Sequence, residues 1–236
     1  MIYGLKSIRW KWLQERGFDV LNDRNQYAFI QSLWAPLDVV QAVFCEAPAG
    51  TGKTTLAVLA GAYELEAENY NRLIYVRNSI PIRHQGYLPG ELNDKEAPYM
   101  TPFAEALEYV NPGTYNDWKT KGYVVATTTS FTRGINWRNS FVIIDEAQNF
   151  ELDELQTVYT RCTDDCKVVT LGSLRQNDNG KIRKYAGYTP FEVFMEHYAT
   201  QNVTFNKLET NYRGWFSEWA DEVGKTLKKL EGGEGK

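Results

Sequence analysis

Short apolar runs alternate along this chain with longer stretches in which apolar residues recur every three or four positions. The short runs predict β-strands, and the longer stretches predict α-helices. The predicted strands are residues 39–45, 72–77, 122–128, 141–144, 167–171 and 203–208, and the predicted helices are residues 55–66, about 102–109, 151–161, 190–198 and 215–229. Because the strands are apolar almost throughout, this alternation predicts an α/β fold with a mostly parallel sheet and helices on both faces.

One segment interrupts this regular alternation. Residues 78–99 carry three prolines and two glycines, and no apolar periodicity runs through them. Connections of this length are uncommon in compact domains unless they have a function. We therefore expect a long irregular loop here that takes part in the activity.

Length and composition indicate how the chain is organised. It has 236 residues, of which 43% are hydrophobic, which is enough for one large core. No internal repeat or linker divides it. We expect a single domain over residues 1–230 with a short N-terminal helical extension, followed by a flexible tail over residues 231–236.

Apolar runs, cysteine content and net charge indicate the cellular compartment and the kinds of partner to expect. No apolar run approaches the roughly 18 residues of a membrane span, and basic residues interrupt the N-terminus, which does not resemble a signal peptide. Three cysteines are a low count and suit a reducing compartment. We expect a cytoplasmic protein without a membrane partner. The net charge of −4 does not by itself indicate nucleic-acid binding.

The stretch FCEAPAGTGKTTLAV, residues 44–58, fits a relaxed phosphate-binding loop between a strand and a helix. Gly50 and Gly52 allow a tight turn whose N–H groups, with the helix N-terminus, form a cradle for phosphate. Lys53 would reach the β- and γ-phosphates, and Thr54 would place its hydroxyl on Mg²⁺. Ala47 stands at the first position, where the full pattern has glycine.

A second motif follows a later strand. FVIIDEAQN, residues 141–149, ends an apolar strand in two carboxylates. Ligands gather at the carboxyl ends of parallel strands, so these acids would lie at the same edge as the phosphate loop. Asp145 then suits Mg²⁺ coordination, and Glu146 suits polarising the water that attacks the γ-phosphate.

Three further stretches resemble ATPase motifs of superfamily 1 helicases. They are LNDRNQYAF before the phosphate loop, LGSLRQND after the strand at 167–171, and LETNYRG after the last strand. The resemblance implies that Gln26 reads adenine, that Gln176 senses the γ-phosphate, that Tyr212 stacks on the base and that Arg213 touches phosphate. The implied nucleotide-binding residues are Gln26, Ala49, Gly50, Thr51, Gly52, Lys53, Thr54, Thr55 and Tyr212.

The middle of the chain resembles the PhoH family. GYLPGEL, PYMTPFAEAL and FTRGINWRNSFVIIDEAQN carry the likeness, which extends from about Gln26 to Arg213. It implies a single RecA-like P-loop NTPase core that uses ATP and Mg²⁺, with activity related to RNA. Ser173 departs from the pattern because it replaces an aspartate, which bears on the rate of hydrolysis. Asn78 stands where the family usually has proline.

Three functions remain open from the sequence. The first is an ATPase that acts on RNA or single-stranded nucleic acid, the second is a nucleotide-switched oligomeric assembly module, and the third is a nuclease partner or adaptor that only binds ATP. Glu146 favours the first, because a protein that only binds ATP needs no general base.

Assembly is a separate expectation. One RecA-like core leaves one wall of its ATP site open, so we expect a homo-oligomeric ring, a hexamer by family resemblance. Arg83 and His84 would cap a neighbour's site, and Arg77, Arg133 and Arg138 are candidates for a nucleic-acid path.

Overall fold

The sheet is parallel and lies at the centre of the molecule. The computed structural model describes residues 7–78, 92–129, 132, 134–174 and 184–231. Within these residues six strands form one sheet, in the order β3-β2-β4-β5-β1-β6. The strands are β1 (Ala42–Glu46), β2 (Arg72–Arg77), β3 (Val124–Thr128), β4 (Ser140–Asp145), β5 (Lys167–Gly172) and β6 (Val203–Lys207). Every neighbouring pair is parallel, so all six carboxyl ends meet at one edge.

Helices cover both faces of the sheet, as the sequence predicts. They are α1 (Ser7–Gln14), α2 (Arg24–Leu33), α3 (Lys53–Glu66), α4 (Leu92–Glu108), α5 (Thr114–Thr120), α6 (Leu152–Tyr159), α7 (Pro190–Tyr198), α8 (Trp215–Asp221) and α9 (Val223–Glu231). One apolar cluster joins α1 to α4 to one face, and a second joins α6 and α7 to the other. Burial on both faces is the reason that β4 and β5 read as continuous apolar runs.

The helices that support the functional edge begin at clear sequence signals. Asp23 caps α2 by accepting hydrogen bonds from the N–H groups of Asn25 and Gln26. Thr189 and Glu192 form a capping box at the start of α7, where Pro190 is the first helical residue. The predicted bounds of β2 and α7 are confirmed to the residue.

The structure corrects three of the predicted elements. The segment expected to be irregular as far as residue 99 is helical from Leu92, although Pro98 and Pro102 lie inside α4. Prolines usually end a helix, but burial of Phe103 and Leu107 holds this one against the sheet. The helix expected over 215–229 is divided at Glu222, whose φ of −91° and ψ of 0° leave the helical range. Helix α5 was not predicted.

A buried lysine ties the start of β5 to the chain before β1. Lys167 is 0% exposed, and its Nζ donates to the carbonyl oxygens of Ala35, at 3.0 Å, and Val40. Burial lowers the pKa of Lys167 from 10.5 to about 7, and the nearby Glu64 carboxylate opposes this shift. Neutral lysine still donates to carbonyl groups, so the site tolerates loss of the charge.

This lowered pKa predicts a pH dependence of stability. Between about pH 7 and pH 10 the unfolded chain holds a proton on Lys167 that the folded chain has released, so raising the pH favours folding. As the pH increases, we expect the unfolding free energy of the native protein to rise more steeply than that of Lys167→Met, by up to about 1.4 kcal/mol per pH unit. Urea unfolding from pH 7 to pH 9 measures the slope. The exposed Lys207, replaced by Met, is the control, and parallel curves for the native protein and Lys167→Met would reject the shift.

None of the helices in the described ranges has both the length and the apolar character needed to cross a bilayer.

Candidate nucleotide-binding site

The loop between β1 and α3 adopts the conformation that its glycines permit. Gly50 and Gly52 have φ angles of 79° and 81°, in the left-handed region, and α3 begins directly afterwards at Lys53. The loop after β6 holds it in place, because Tyr212 N–H donates to the Gly50 carbonyl (2.8 Å) and Asn211 Nδ2 donates to the Ala49 carbonyl (3.3 Å). A turn of this kind at a helix N-terminus is a ready site for phosphate.

Gly50 and Ala47 form a matched pair for testing this loop. A Cβ at Gly50 would lie 2.6 Å from Asn211 Oδ1, whereas Ala47 is fully buried without a positive φ. We expect Gly50→Ala to lower the unfolding free energy by about 1–2 kcal/mol, the cost of a left-handed non-glycine residue, and to weaken ATP binding. Ala47→Gly should change stability by less than about 1 kcal/mol. Urea unfolding and calorimetry with ATP measure both effects, and equal behaviour of the two variants would contradict the loop geometry.

Four functional side chains meet where the phosphate loop faces the end of β4. Thr54 Oγ1 donates to Asp145 Oδ2 (3.0 Å), and Lys53 Nζ lies 3.5 Å from Glu146 Oε1. Lys53 is 8% exposed and Asp145 is 1% exposed. Strand β5 separates β1 from β4 in the sheet, so only the loop and the start of α3 bring these pairs together.

The two carboxylates experience different environments. Burial, with the neighbouring Glu146 charge, raises the pKa of Asp145. Burial also acts to raise the pKa of Glu146, but the Lys53 ammonium and a hydrogen bond from Gln148 outweigh it and hold this pKa below its usual value. Glu146 therefore stays ionised at neutral pH, the state that a general base requires. It also has a φ of 56°, a strained conformation that is typical of functional sites.

Two residues that the sequence analysis missed position these acids. Tyr75 is fully buried in β2, and its hydroxyl donates to Asp145 Oδ2 (2.7 Å). Gln148 Nε2 donates to Glu146 Oε2 (2.6 Å), while its Oε1 accepts from the N–H of Ser173 (2.9 Å). Tyr75 reaches Asp145 because β2 and β4 are neighbours in the sheet. This could not be predicted without the order of the strands.

The residues expected to read the base lie beside the loop. Gln26 Nε2 donates to the Thr51 carbonyl (3.1 Å), so its amide contacts the phosphate loop in this structure. The Tyr212 hydroxyl donates to Asp23 Oδ2 (2.7 Å), and the ring is 58% exposed. Asp23, which caps α2, thereby orients the aromatic ring that the sequence assigned to base stacking.

A pocket of about 870 Å³ lies beside the phosphate loop. Its lining includes every residue of the predicted nucleotide-binding set, together with Glu146, Arg213 and Arg77. Arg77 ends β2 directly opposite Asp145 in the sheet register, and its place on a nucleic-acid path stays a prediction. Phe18 and Tyr109 also line the pocket, with ring centroids 5.1 Å apart.

The other residues named in the sequence analysis are of two kinds: those that the structure does not describe and those that it places elsewhere. Gln176, Arg83, His84 and Arg133 lie outside the described residues. Arg138 precedes β4, at the opposite edge of the sheet from Asp145. Asn78 is buried and donates to the Asn149 carbonyl (2.8 Å) and to Glu154 Oε2 (2.9 Å), which ties the end of β2 to α6.

The residues present suit a nucleotide with its metal ion. The loop is so close to Asn211 that a Cβ at Gly50 would lie 2.6 Å from Asn211 Oδ1, and Lys53 offers the phosphates a buried cation. The hydroxyl of Thr54 and the carboxylate of Asp145 form a pair of oxygen ligands of the kind that Mg²⁺ takes in proteins.

The fold is that of a RecA-like P-loop core. The solved structure of the DUF1998 helicase MrfA bound to DNA aligns with 89% of this chain and 30% of that chain, with a TM-score of 0.50 and 12% identity. The structure of MrfA bound to DNA and AMPPNP aligns equally well. At this identity the likeness concerns the fold alone.

Sequence comparisons identify relatives over most of the same region. A PhoH-like protein of Synechocystis sp. is 36% identical over 143 residues, which are 60% of this chain and 44% of the relative. Protein PhoH2 of Bacillus subtilis is 36% identical over 138 residues, 56% of this chain and 31% of the relative. The chain thus spans less than half the length of these relatives. The family model for PhoH-like proteins matches residues 21–214, from the segment that carries Gln26 to the loop that carries Tyr212, and this chain therefore belongs to the PhoH-like protein family.

Proposed function

We propose that this chain is a cytoplasmic ATPase that binds Mg–ATP in the pocket at the carboxyl edge of the sheet and acts on RNA or single-stranded nucleic acid. The observation that carries the proposal is the meeting of Lys53, Thr54, Asp145 and Glu146 at one point of that edge. Lys53 would bind the phosphates, Thr54 and Asp145 would hold the metal ion, and Glu146 would activate water. A protein that only binds nucleotide has no need of this last role.

The roles follow from the contacts. Lys53 binds the β- and γ-phosphate oxygens, for which it exchanges its contact with Glu146. Thr54 and Asp145 hold Mg²⁺, which neutralises charge on the phosphates when it is bound. Glu146, fixed by Gln148 and ionised, accepts a proton from the attacking water.

Two arginines complete the proposed charge stabilisation. Arg77 lines the pocket beside both acids, and although burial acts to lower its pKa, the neighbouring Tyr75 and Asp145 raise it. Arg213 lines the same pocket from the loop after β6. In this proposal both face the transferred phosphate, where a guanidinium stabilises developing negative charge. Gln176 remains our proposed sensor of the γ-phosphate.

The nucleic-acid partner rests on the family and on the fold. MrfA, which shares this fold, has been solved bound to DNA, and the PhoH family resembles helicase ATPases. ATP turnover measured with and without single-stranded RNA tests the proposal. Stimulation of about tenfold, which corresponds to roughly 1.4 kcal/mol of coupling, supports a nucleic-acid motor. Turnover that RNA does not change would reject the motor and leave the ATPase.

The alternative is a nucleotide-switched assembly module with weak ATPase activity. Tyr212 and Arg213 lie on the exposed side of the pocket, so a neighbouring copy could close it. The buried Ser173 supplies no carboxylate beside Gln148, which favours slow hydrolysis.

In either case we propose a homo-oligomeric ring, with a hexamer favoured by the family resemblance. Sedimentation velocity with ATP, with ADP and without nucleotide distinguishes the alternatives, because a switch requires the assembly to depend on which nucleotide is bound.

A further inference from the structure

Asp145, one of the two proposed metal ligands, is held from several directions. It is 1% exposed, and the Tyr75 hydroxyl donates to its Oδ2 at 2.7 Å. Thr54 Oγ1 donates to the same oxygen at 3.0 Å, and the N–H of Glu146 donates to Oδ1 at 3.0 Å. A phenol keeps its proton at neutral pH, so Tyr75 is the donor and the carboxylate is the acceptor. Because Thr54 is itself a proposed metal ligand, Tyr75 is placed to hold Asp145 whether or not the metal ion is bound.

Strand pairing explains how Tyr75 reaches this acid. Tyr75 lies opposite Ile143 in the register of β2 and β4, two residues before the pair of Arg77 and Asp145. Side chains two residues apart on a strand share one face of the sheet. The long side chain of Tyr75 therefore extends along this face from the level of Ile143 to the carboxylate at the end of β4. A phenylalanine would keep the packing of the ring but would lose the hydrogen bond.

The Tyr75 ring is itself fixed by helix α4. It stacks on the ring of Phe103, with centroids 4.9 Å apart and planes 9° from parallel. Both side chains are 0% exposed. Stacked rings in a close-packed interior have little room to shift, and a displacement of one is passed to the other. The position of Phe103 on α4 thus limits where the Tyr75 hydroxyl can lie.

Helix α4 makes a second contact with the same strand. Arg77 Nη1 donates to the carbonyl of Tyr99 at 3.4 Å, about one helical turn before Phe103. Glu105 and Ala106 of the same helix line the nucleotide pocket. Helix α4 therefore contacts β2 at two positions near the proposed metal ligand and also borders the space that the nucleotide would occupy.

We propose that α4 sets the affinity of the site for Mg²⁺ through a chain of contacts from Phe103 to Tyr75 and from Tyr75 to Asp145. Tyr75 and Phe103 are then positioning residues, which act through the carboxylate that they hold beside Thr54 Oγ1. A carboxylate whose orientation is not fixed binds a metal ion less tightly, because it must be ordered on binding. This inference rests on the proposed Mg–ATP site and goes beyond it by naming what controls the metal ligand.

The hydroxyl is tested with Tyr75→Phe, which keeps the ring and its stack on Phe103. Calorimetry with a non-hydrolysable ATP analogue, in Mg²⁺ and in EDTA, gives two dissociation constants, and their ratio is the gain in affinity that the metal provides. Loss of a group that orients a metal ligand typically weakens metal binding by about 10- to 100-fold. We expect the ratio to fall about 10-fold or more while the affinity in EDTA stays native. The Mg²⁺ concentration for half-maximal turnover should rise, and kcat at saturating Mg²⁺ should change less.

Tyr159→Phe is the matched control. It removes a hydroxyl that is hydrogen-bonded to Thr170 Oγ1 at 3.0 Å, and Tyr159 is not among the residues that line the pocket. This variant should leave the ratio unchanged. Urea unfolding of both variants measures their stability, and a substitution that only loosens the fold would weaken binding in Mg²⁺ and in EDTA alike.

Double-mutant cycles test whether the contacts act in sequence. If Tyr75 acts through Asp145, Tyr75→Phe should have little further effect on the ratio in an Asp145→Asn background. If Phe103 acts through Tyr75, Phe103→Leu should lower the ratio in the native protein but not in Tyr75→Phe. Because Tyr75→Phe keeps the aromatic ring in place, its result remains decisive if Phe103→Leu fails to fold.

The results that would overturn this inference differ from those that would overturn the proposed function. A native ratio in Tyr75→Phe with a lowered ratio in Asp145→Asn rejects the positioning role and keeps the metal site. Equal losses in Mg²⁺ and in EDTA make Tyr75 a structural residue only. An effect of Phe103→Leu that persists in Tyr75→Phe rejects the part played by α4. Native ratios in both Tyr75→Phe and Asp145→Asn place the metal ion elsewhere and reject the proposed metal ligand as well.

Discussion

Replacement of Lys53 by alanine is expected to abolish tight binding of ATP. Lys53 is buried at the start of α3, and its Nζ is the cation that the phosphate loop presents to the β- and γ-phosphates. A hydrogen bond to a charged group contributes about 1.5–3 kcal/mol, so the affinity should fall about 10- to 150-fold. Calorimetry with ATP and Mg²⁺ measures the loss.

The same substitution leaves Glu146 without its cation. Lys53 is the first group that lowers the pKa of Glu146 against the effect of burial, so in Lys53→Ala that pKa should rise. Lys207→Ala is a suitable control, because Lys207 is an exposed lysine that pairs with Glu209 and is not among the residues that line the pocket. Unchanged ATP affinity in Lys53→Ala, with the control also unchanged, would refute the assignment of residues 47–54 as the phosphate loop.

Replacement of Glu146 by glutamine is expected to slow turnover by about 10²- to 10⁴-fold, the usual effect of losing an acid–base group. Binding of ATP should be retained or become tighter. Lys53 Nζ lies 3.5 Å from Glu146 in the structure, and removing this carboxylate releases the lysine for the phosphates. Steady-state ATPase rates and calorimetry on one preparation separate the two effects.

Two further variants make the Glu146 result specific. Glu209→Gln removes an exposed carboxylate and should turn over at the native rate. Asp145→Asn should instead raise the Mg²⁺ concentration needed for activity, because Asp145 contacts the Thr54 hydroxyl that is our other proposed metal ligand. A Glu146→Gln protein with native turnover would place the base elsewhere, and a water positioned by Gln176 without a general base would then be the leading mechanism.

The relation between sequence and structure differs between the strands and their connections. The apolar runs that became β2, β4 and β5 were predictable because a strand buried on both faces must be apolar at nearly every position. Helix α4 was only partly predictable. Its two prolines indicate a break, and the burial of Phe103 and Leu107 that overrides them is not visible from local pattern.

The residues of the site also differ in how far the sequence could assign them. Gly50, Gly52, Lys53 and Thr54 could be assigned from the sequence, because a phosphate loop requires these residue types at adjacent positions. The place of Arg77 in the lining of the pocket could not be assigned in this way. Its position opposite Asp145 depends on the pairing of β2 with β4, which are separated along the chain by more than 60 residues in the register Arg77↔Asp145.

The sequence alone determined the class of fold, the family and the chemistry of the phosphate loop, because these depend on periodicity and on short motifs. Only the tertiary structure decided which side chains control that chemistry. Tyr75 contacts Asp145, and Gln148 links Glu146 to Ser173, through contacts that form when strands distant in sequence are neighbours. It also decided which apolar residues remain exposed: Trp219 and Leu227 are 68% and 56% exposed. The free energy of burial depends on what a side chain meets in the folded chain, and local pattern does not contain that information.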